Sequence, residues 1–129
     1  MAYVSEKLQQ LESALKKLEE VLNMPFSEIT RDAAIQRFQF TYELLWKTIK
    51  VYLSEIEKIE ASSPRACFRE IKNPLKLSDE EIEMCLRMAD DRNRSVHIYS
   101  EELAQKIYEQ LRNYCTLSKK IYTQLSPWK

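Results

Sequence analysis

A chain of 129 residues has room for one ordinary domain with a real core, and is too short for two of usual size. Its 44% hydrophobic and 31% charged residues are those of a globular protein, and twenty basic residues cancel twenty acidic ones, so net charge selects no particular partner. Glycine is absent altogether, which excludes glycine-built phosphate loops and disfavours hairpins, because no other residue reaches positive φ cheaply.

The first helix is marked by Leu8, Leu11, Leu15, Leu18 and Leu22, a single stripe at spacings of three and four. Asn23 is expected to close it in the left-handed conformation, with Pro25 preventing continuation. A long second helix runs from about Thr30 to Ile56 on Ile35, Phe38, Tyr42, Leu45, Ile49, Leu53 and Ile56. Phe40, Leu44 and Trp46 lie off that line, so this helix is either central or in contact with a partner subunit.

Ser63 and Pro64 suit the N-cap and first position of a short third helix that Asn73-Pro74 stops. Ser78 and Glu81 form a capping box for a fourth, whose inner line is read as Ile82, Leu86, Ala89, Asn93 and Val96. Ser100 caps a fifth, carried by Leu103, Ile107, Leu111, Tyr114, Ser118, Ile121 and Leu125. No segment alternates with period two and no internal repeat appears. The expectation is an all-α fold, an antiparallel up-and-down four-helix bundle with one extra short helix, forming a single domain over residues 1–129.

No stretch approaches 18 consecutive apolar residues, and "MAYVSEKLQQ" lacks a basic segment leading into an apolar one, so a cytoplasmic protein without a membrane partner is expected. Cys67, Cys85 and Cys115 are odd in number and lack metal-ligand spacing; they read as small core residues. One histidine among scattered acids offers no metal site, and no cofactor motif is present. Charge is unevenly spread: residues 78–91 hold six acids against Arg87, and residues 106–129 hold five bases against Glu109. A solvated helix face explains that as well as an anionic ligand does.

The stretch "DDRNRSVHIY" contains His97, the only histidine. Arg87 with Asp91 and Asp90 with Arg94 are spaced as ordinary surface pairs. Arg92 differs, because Met88, Ala89, Ser95 and Val96 surround it on its own helix and none is acidic. Its counter-charge must come from elsewhere in the fold, from a second subunit or from a ligand. Five residues of regular helix turn through about 500°, leaving Arg92 and His97 about 140° apart. They meet at one ligand only if the helix ends near Val96 or if two chains build the site. The cap at Ser100 predicts that the helix does end.

"RNRSVHIY" resembles the R-x4-H-x-Y motif of the HEPN superfamily (higher eukaryote and prokaryote nucleotide-binding), with Asn93 as the polar residue after the arginine. "AIQRFQFTYELLWKTIKVYL" and "SPRACFREI" are similar to segments of one branch, the nucleotidyltransferase substrate-binding proteins, and the likeness spans about residues 30–105 in the family's order. The resemblance implies a homodimer that brings two copies of Arg92 and His97 to one cleft. It also implies a minimal nucleotidyltransferase as partner. In several such pairs the HEPN member is a toxin and its partner the antitoxin, and the motif tyrosine, here Tyr99, is nucleotidylated to silence it.

Two functions fit. In the first, Arg92, Asn93, His97 and Tyr99 bind a nucleotide or other phosphate-bearing substrate for the partner enzyme, and Arg92 suits phosphate because its planar fork engages two oxygens. Tyr42 and Trp46 are expected in the core or at an interface rather than stacked on a base. In the second, Arg92 and His97 are the catalytic residues of a metal-independent ribonuclease toxin. There His97 serves as base or acid, and a pair of histidines requires the twin subunit. A purely structural bundle, indifferent to both side chains, is the third possibility.

Overall fold

The computed structural model describes residues 2–97 and 100–129. Its helices are α1 (Ala2–Leu22), α2 (Glu28–Tyr52), α3 (Pro64–Ile71), α4 (Asp79–Ser95) and α5 (Glu101–Leu125). A π-helical turn, Leu53–Glu57, extends α2, and a 3₁₀ turn, Ser126–Trp128, follows α5. The fold is all-helical, with no strand among the described residues.

Local chemistry sets most of the boundaries. Ser78 accepts from the Glu81 N–H at 3.1 Å while Glu81 accepts from the Ser78 N–H at 2.9 Å, the reciprocal box that starts α4. Ser63 accepts from Ala66 ahead of Pro64, and Ser100 accepts from Leu103, as expected of N-caps. The start of α2 lies two residues earlier than Thr30. Ser27 is its cap, and Thr30, at the third helical position, returns the bond to the Ser27 N–H at 2.9 Å. Threonine there substitutes for the glutamate or glutamine of the usual signature.

Asn23 does not take the left-handed conformation expected of it. Among the described residues, the two with positive φ are Lys58 (φ 60°) and Lys76 (φ 54°), in the turns that follow the π-turn and α3. A chain without glycine places these conformations on lysines, at a cost of roughly 1 kcal/mol each. At Lys58 the N–H groups of residues 58 and 59 both reach the Leu53 carbonyl, and its ammonium bonds the Glu55 carbonyl at 2.9 Å.

Helix directions follow from cross-helix contacts. Arg37 and Thr48 of α2 reach the carbonyls of Lys17 and Lys7 on α1, an antiparallel pairing. Gln39 and Glu43 of α2 meet Ser95 and Arg92 of α4 in the same sense. Tyr114 and Lys120 of α5 meet Asp91 and Glu81 of α4, while Arg112 and Tyr122 meet Leu22 and Glu12 of α1, so α5 is antiparallel to both. α2 contacts every other helix. Its apolar surface on more than one side therefore belongs to a central helix: Tyr42 is buried against Phe38 and Phe68, and Trp46 and Leu44 pack half-buried on the core. Phe40 alone of the off-line residues is exposed.

The α5 stripe is buried from Ile107 to Leu125, with Leu103 half-buried, and all three cysteines are buried and unpaired. The inner line of α4 is corrected. It runs through Ile82, Cys85, Met88, Ala89 and Ser95, leaving Leu86 half-buried and Asn93 and Val96 exposed. Cysteine and methionine carry the apolar line where leucine and valine were expected to, and the phase change of one residue carries Arg92 onto the packed side. The anticipated pairs within α4 are replaced as well: Asp90 holds Arg65 of α3 at 2.9 Å, and Asp91 takes Arg94 at 2.8 Å.

Candidate functional site

The site is built on the last turn of α4. Buried Ser95 accepts from the Gln39 amide of α2 at 2.7 Å and donates to the Arg92 carbonyl at 2.6 Å, tying the helix end to α2. Asp91 accepts from the Tyr114 hydroxyl of α5 at 2.5 Å and from Arg94. Burial pushes the Tyr114 phenol well above its ordinary range, and the bond to Asp91 pushes it further, so it stays a donor at all physiological pH. With Arg65 on Asp90, the turn is fastened to α2, α3 and α5 at once.

Arg92 finds its counter-charge on α2. Its Nη2 lies 3.2 Å from Oε1 of Glu43, with the two side chains 30% and 35% exposed. Its Nε is buried and has no hydrogen-bond partner. The other Glu43 oxygen accepts from the Trp46 indole at 3.3 Å and lies 3.6 Å from the Lys47 ammonium. The guanidinium is therefore held by one carboxylate whose remaining oxygen is already shared, while one edge stays open to solvent. Glu43 was not among the residues singled out in the sequence. Its signal was there: it is the only acid between Asp32 and Glu55, set in an aromatic helix facing the arginine that lacks a helical partner.

α4 ends at Ser95. Val96 has φ −81° and ψ −6°, and the His97 N–H turns back to the Arg94 carbonyl at 3.0 Å. The regular helix that separates Arg92 from His97 by direction is thus interrupted before His97, which is exposed, as is Asn93. Tyr99 lies outside the described residues. Tyr42 is buried, and burial pushes its phenol up to about 12, so it belongs to the core and not to a base-stacking surface.

A cleft of about 530 Å³ borders the motif, lined in part by Gln36, Gln39, Ser95 and Ser100. Arg31, almost wholly buried, spans its floor from Asp32 at 3.1 Å to Glu101 at 2.6 Å, the first residue of α5. Arg31 and Gln39, two turns apart on α2, thereby hold the two ends of the connection that carries His97. Among the described residues, no cluster of acids, cysteines and histidine is placed to hold a metal ion, and no helix is long and apolar enough to cross a membrane.

An all-helical fold with an arginine and a histidine flanking a broken helix end is the class defined so far. The model of the family described as nucleotidyltransferase substrate binding protein like matches residues 6–127, and the chain belongs to that family. A protein of Thermus thermophilus, known from its crystal structure, is similar at 40% identity with a TM-score of 0.85, over 89% of this chain and 98% of its own. No curated protein matches the chain.

Proposed function

We propose that the chain is the substrate-binding partner subunit of a small nucleotidyltransferase. The observation that carries this reading is the family match over residues 6–127 together with the Arg92 and His97 pair at the end of α4. The antiparallel contacts among α1, α2, α4 and α5 support an up-and-down four-helix bundle with α3 appended. In this reading the bundle works in the cytoplasm as a homodimer of the HEPN type. It presents Arg92, Asn93, His97 and Tyr99 to a nucleotide or another phosphate-bearing substrate at the cleft between two copies, while the partner enzyme supplies the chemistry.

Arg92 supplies fixed positive charge, already desolvated on its inner edge, where a phosphate oxygen meets less competition from water. His97 supplies an imidazole whose ring nitrogens can donate or accept a hydrogen bond at the same ligand. Purification of the tagged chain from its own cell is expected to recover a nucleotidyltransferase, and Arg92→Ala to weaken nucleotide binding about tenfold or more. Unchanged affinity in Arg92→Ala removes the motif from this function.

The exposure of His97 beyond the helix end favours a second reading, a metal-independent ribonuclease toxin. A base removes the 2′-hydroxyl proton, that oxygen attacks phosphorus, and an acid protonates the departing 5′-oxygen; His97 of each subunit takes one role and Arg92 stabilises the phosphorane. Nucleotidylation of Tyr99 by the partner then places bulk and negative charge beside the site. RNA cleavage in EDTA that is lost in His97→Ala, and a nucleotide adduct on Tyr99 after co-expression, are the results expected. Persistent cleavage by the variant, or an unmodified Tyr99, overturns the corresponding step.

A further inference from the structure

The buried line of α2 runs through Phe38, Leu45 and Ile49, and the opposite face of the helix carries a second apolar stripe. Ile29, Ala33, Phe40, Leu44 and Val51 recur along it at intervals of four and seven residues, with Gln36 and Lys47 at the remaining positions. Ala33, Leu44 and Val51 are half-buried, whereas Ile29 is 81% and Phe40 69% exposed. Beside Phe40 a cleft of about 760 Å³ runs between α1 and α2, lined in part by the small residues Ser13 and Ala14 of α1 and by Thr41 and Leu44 of α2. A protruding ring and an unfilled cleft thus stand side by side on one surface.

We infer that a second copy of the chain sits on this face, α2 packing antiparallel on its own counterpart about a two-fold axis that crosses it between Phe40 and Leu44. The inference rests on the homodimer of the function proposed above and names its surface. A two-fold contact is self-complementary, so one surface supplies both knob and hole, and Phe40 of each copy enters the α1–α2 cleft of the other. The same axis sets Phe40 opposite Leu44 and Ala33 opposite Val51, closing the stripe on itself. Charge decides the direction. Asp32 and Lys50 are eighteen residues apart, five helical turns, so they lie on the same edge of the stripe, one on each side of the axis. Antiparallel packing brings Asp32 of each copy to Lys50 of the other, within one residue of the register above, whereas parallel packing sets like charges together. Arg31 divides its charge between Asp32 and Glu101, which leaves the Asp32 end net negative. Glu43, the acid nearest the axis, is neutralised within its own chain by Arg92 and Lys47, so the two copies do not repel there.

The pairing also reaches the motif. Glu43 stands beside the axis and holds Arg92, so both copies of Arg92 approach one edge of the same interface.

Sedimentation of the full-length protein at micromolar concentration is expected to give twice the chain mass. Phe40→Asp is expected to raise the dimer dissociation constant about a hundredfold or more, with helix content by circular dichroism unchanged. Asp32→Lys and Lys50→Asp are each expected to raise it about tenfold, and the double variant to return it to within about threefold of the parent. That rescue has no route within one chain, where about 27 Å of helix separates the two positions. A dimer indifferent to Phe40→Asp overturns this face and leaves a homodimer built elsewhere. Absence of rescue in the double variant overturns the antiparallel pairing. A monomeric parent overturns the self-pairing, and if Phe40→Asp then also loses the nucleotidyltransferase in purification, the face belongs to that enzyme. Recovery of the nucleotidyltransferase by the parent chain is a separate readout, so the substrate-binding role and this surface stand or fall independently.

Discussion

Arg92 of α4 lies 3.2 Å from Glu43 of α2, and this ion pair joins the R-x4-H motif to the central helix of the fold. Neither residue has a charge partner on the same turn that fully satisfies it. Arg92 has no acid on its own helix face, and Glu43 divides its second oxygen between Trp46 and Lys47. The pair therefore both positions the guanidinium and competes with any phosphate that approaches it.

Competition gives a prediction with an unusual sign. Glu43→Gln keeps an oxygen to orient Arg92 and removes the negative charge, so phosphate-bearing ligands are expected to bind several-fold more tightly. Stability should fall by less than about 1 kcal/mol, since the pair is one-third exposed. Isothermal titration and chemical denaturation of the variant measure both quantities. Weaker binding at unchanged fold means that Glu43 is part of the binding surface itself.

The anchor on the opposite side is tested at Tyr114. Tyr114→Phe removes the hydroxyl that donates to the mostly buried Asp91 carboxylate, and a bond to a charged group is worth roughly 1.5–3 kcal/mol. Arg94 still serves Asp91, so the low end, about 1.5 kcal/mol, is expected in urea denaturation. The amides of α4 near Asp91 should exchange faster in that variant than those near Ile82.

How much of this was legible in the sequence depends on the range of the interaction. Ser63, Ser78 with Glu81, and Ser100 were readable because a cap is an arrangement among residues three apart. The Ser27 and Thr30 box was missed because threonine stands where glutamate was expected. The closure at Asn23 failed because nothing local tells a chain without glycine which residue takes positive φ; Lys58 and Lys76 do so where tertiary packing fixes their turns. On α4, a leucine-based phase pointed one residue away from the true line through Cys85 and Met88. The isolation of Arg92 from acids was visible, but the choice of Glu43 among all acids required the register of α4 on α2. Ion pairs such as Arg65 with Asp90 displaced the spacing-based ones for the same reason.

The cysteines offer a check on the core. Burial pushes the Cys67 thiol up to about 11 and the Cys85 thiol up to about 12, and pushes Cys115 upward too. At pH 8 the thiolate is a minor species and each sulfur is shielded, so native protein should react with a thiol reagent far more slowly than unfolded protein. Rapid labelling of one cysteine in the native state points to local opening of its helix.

Acid stability should depend on Glu81. The Lys120 ammonium first, and then the Ser78 N–H, hold its carboxyl below the ordinary value of 4.5. A depressed folded value gives stability that is complete above the unfolded value and is lost as pH falls through the folded one. Glu81→Gln should therefore show a shallower loss of melting temperature below about pH 4.5 than the parent, with a lower starting value at pH 7.

The central claim is that Arg92 and His97 act on one phosphate-bearing ligand. Because His97 is the only histidine, its imidazole gives a single set of proton resonances in the intact protein. Titration with a nucleotide is expected to shift those resonances saturably in the parent and to leave them fixed in Arg92→Ala. Resonances that stay fixed in the parent, or that move equally in both proteins, contradict the account.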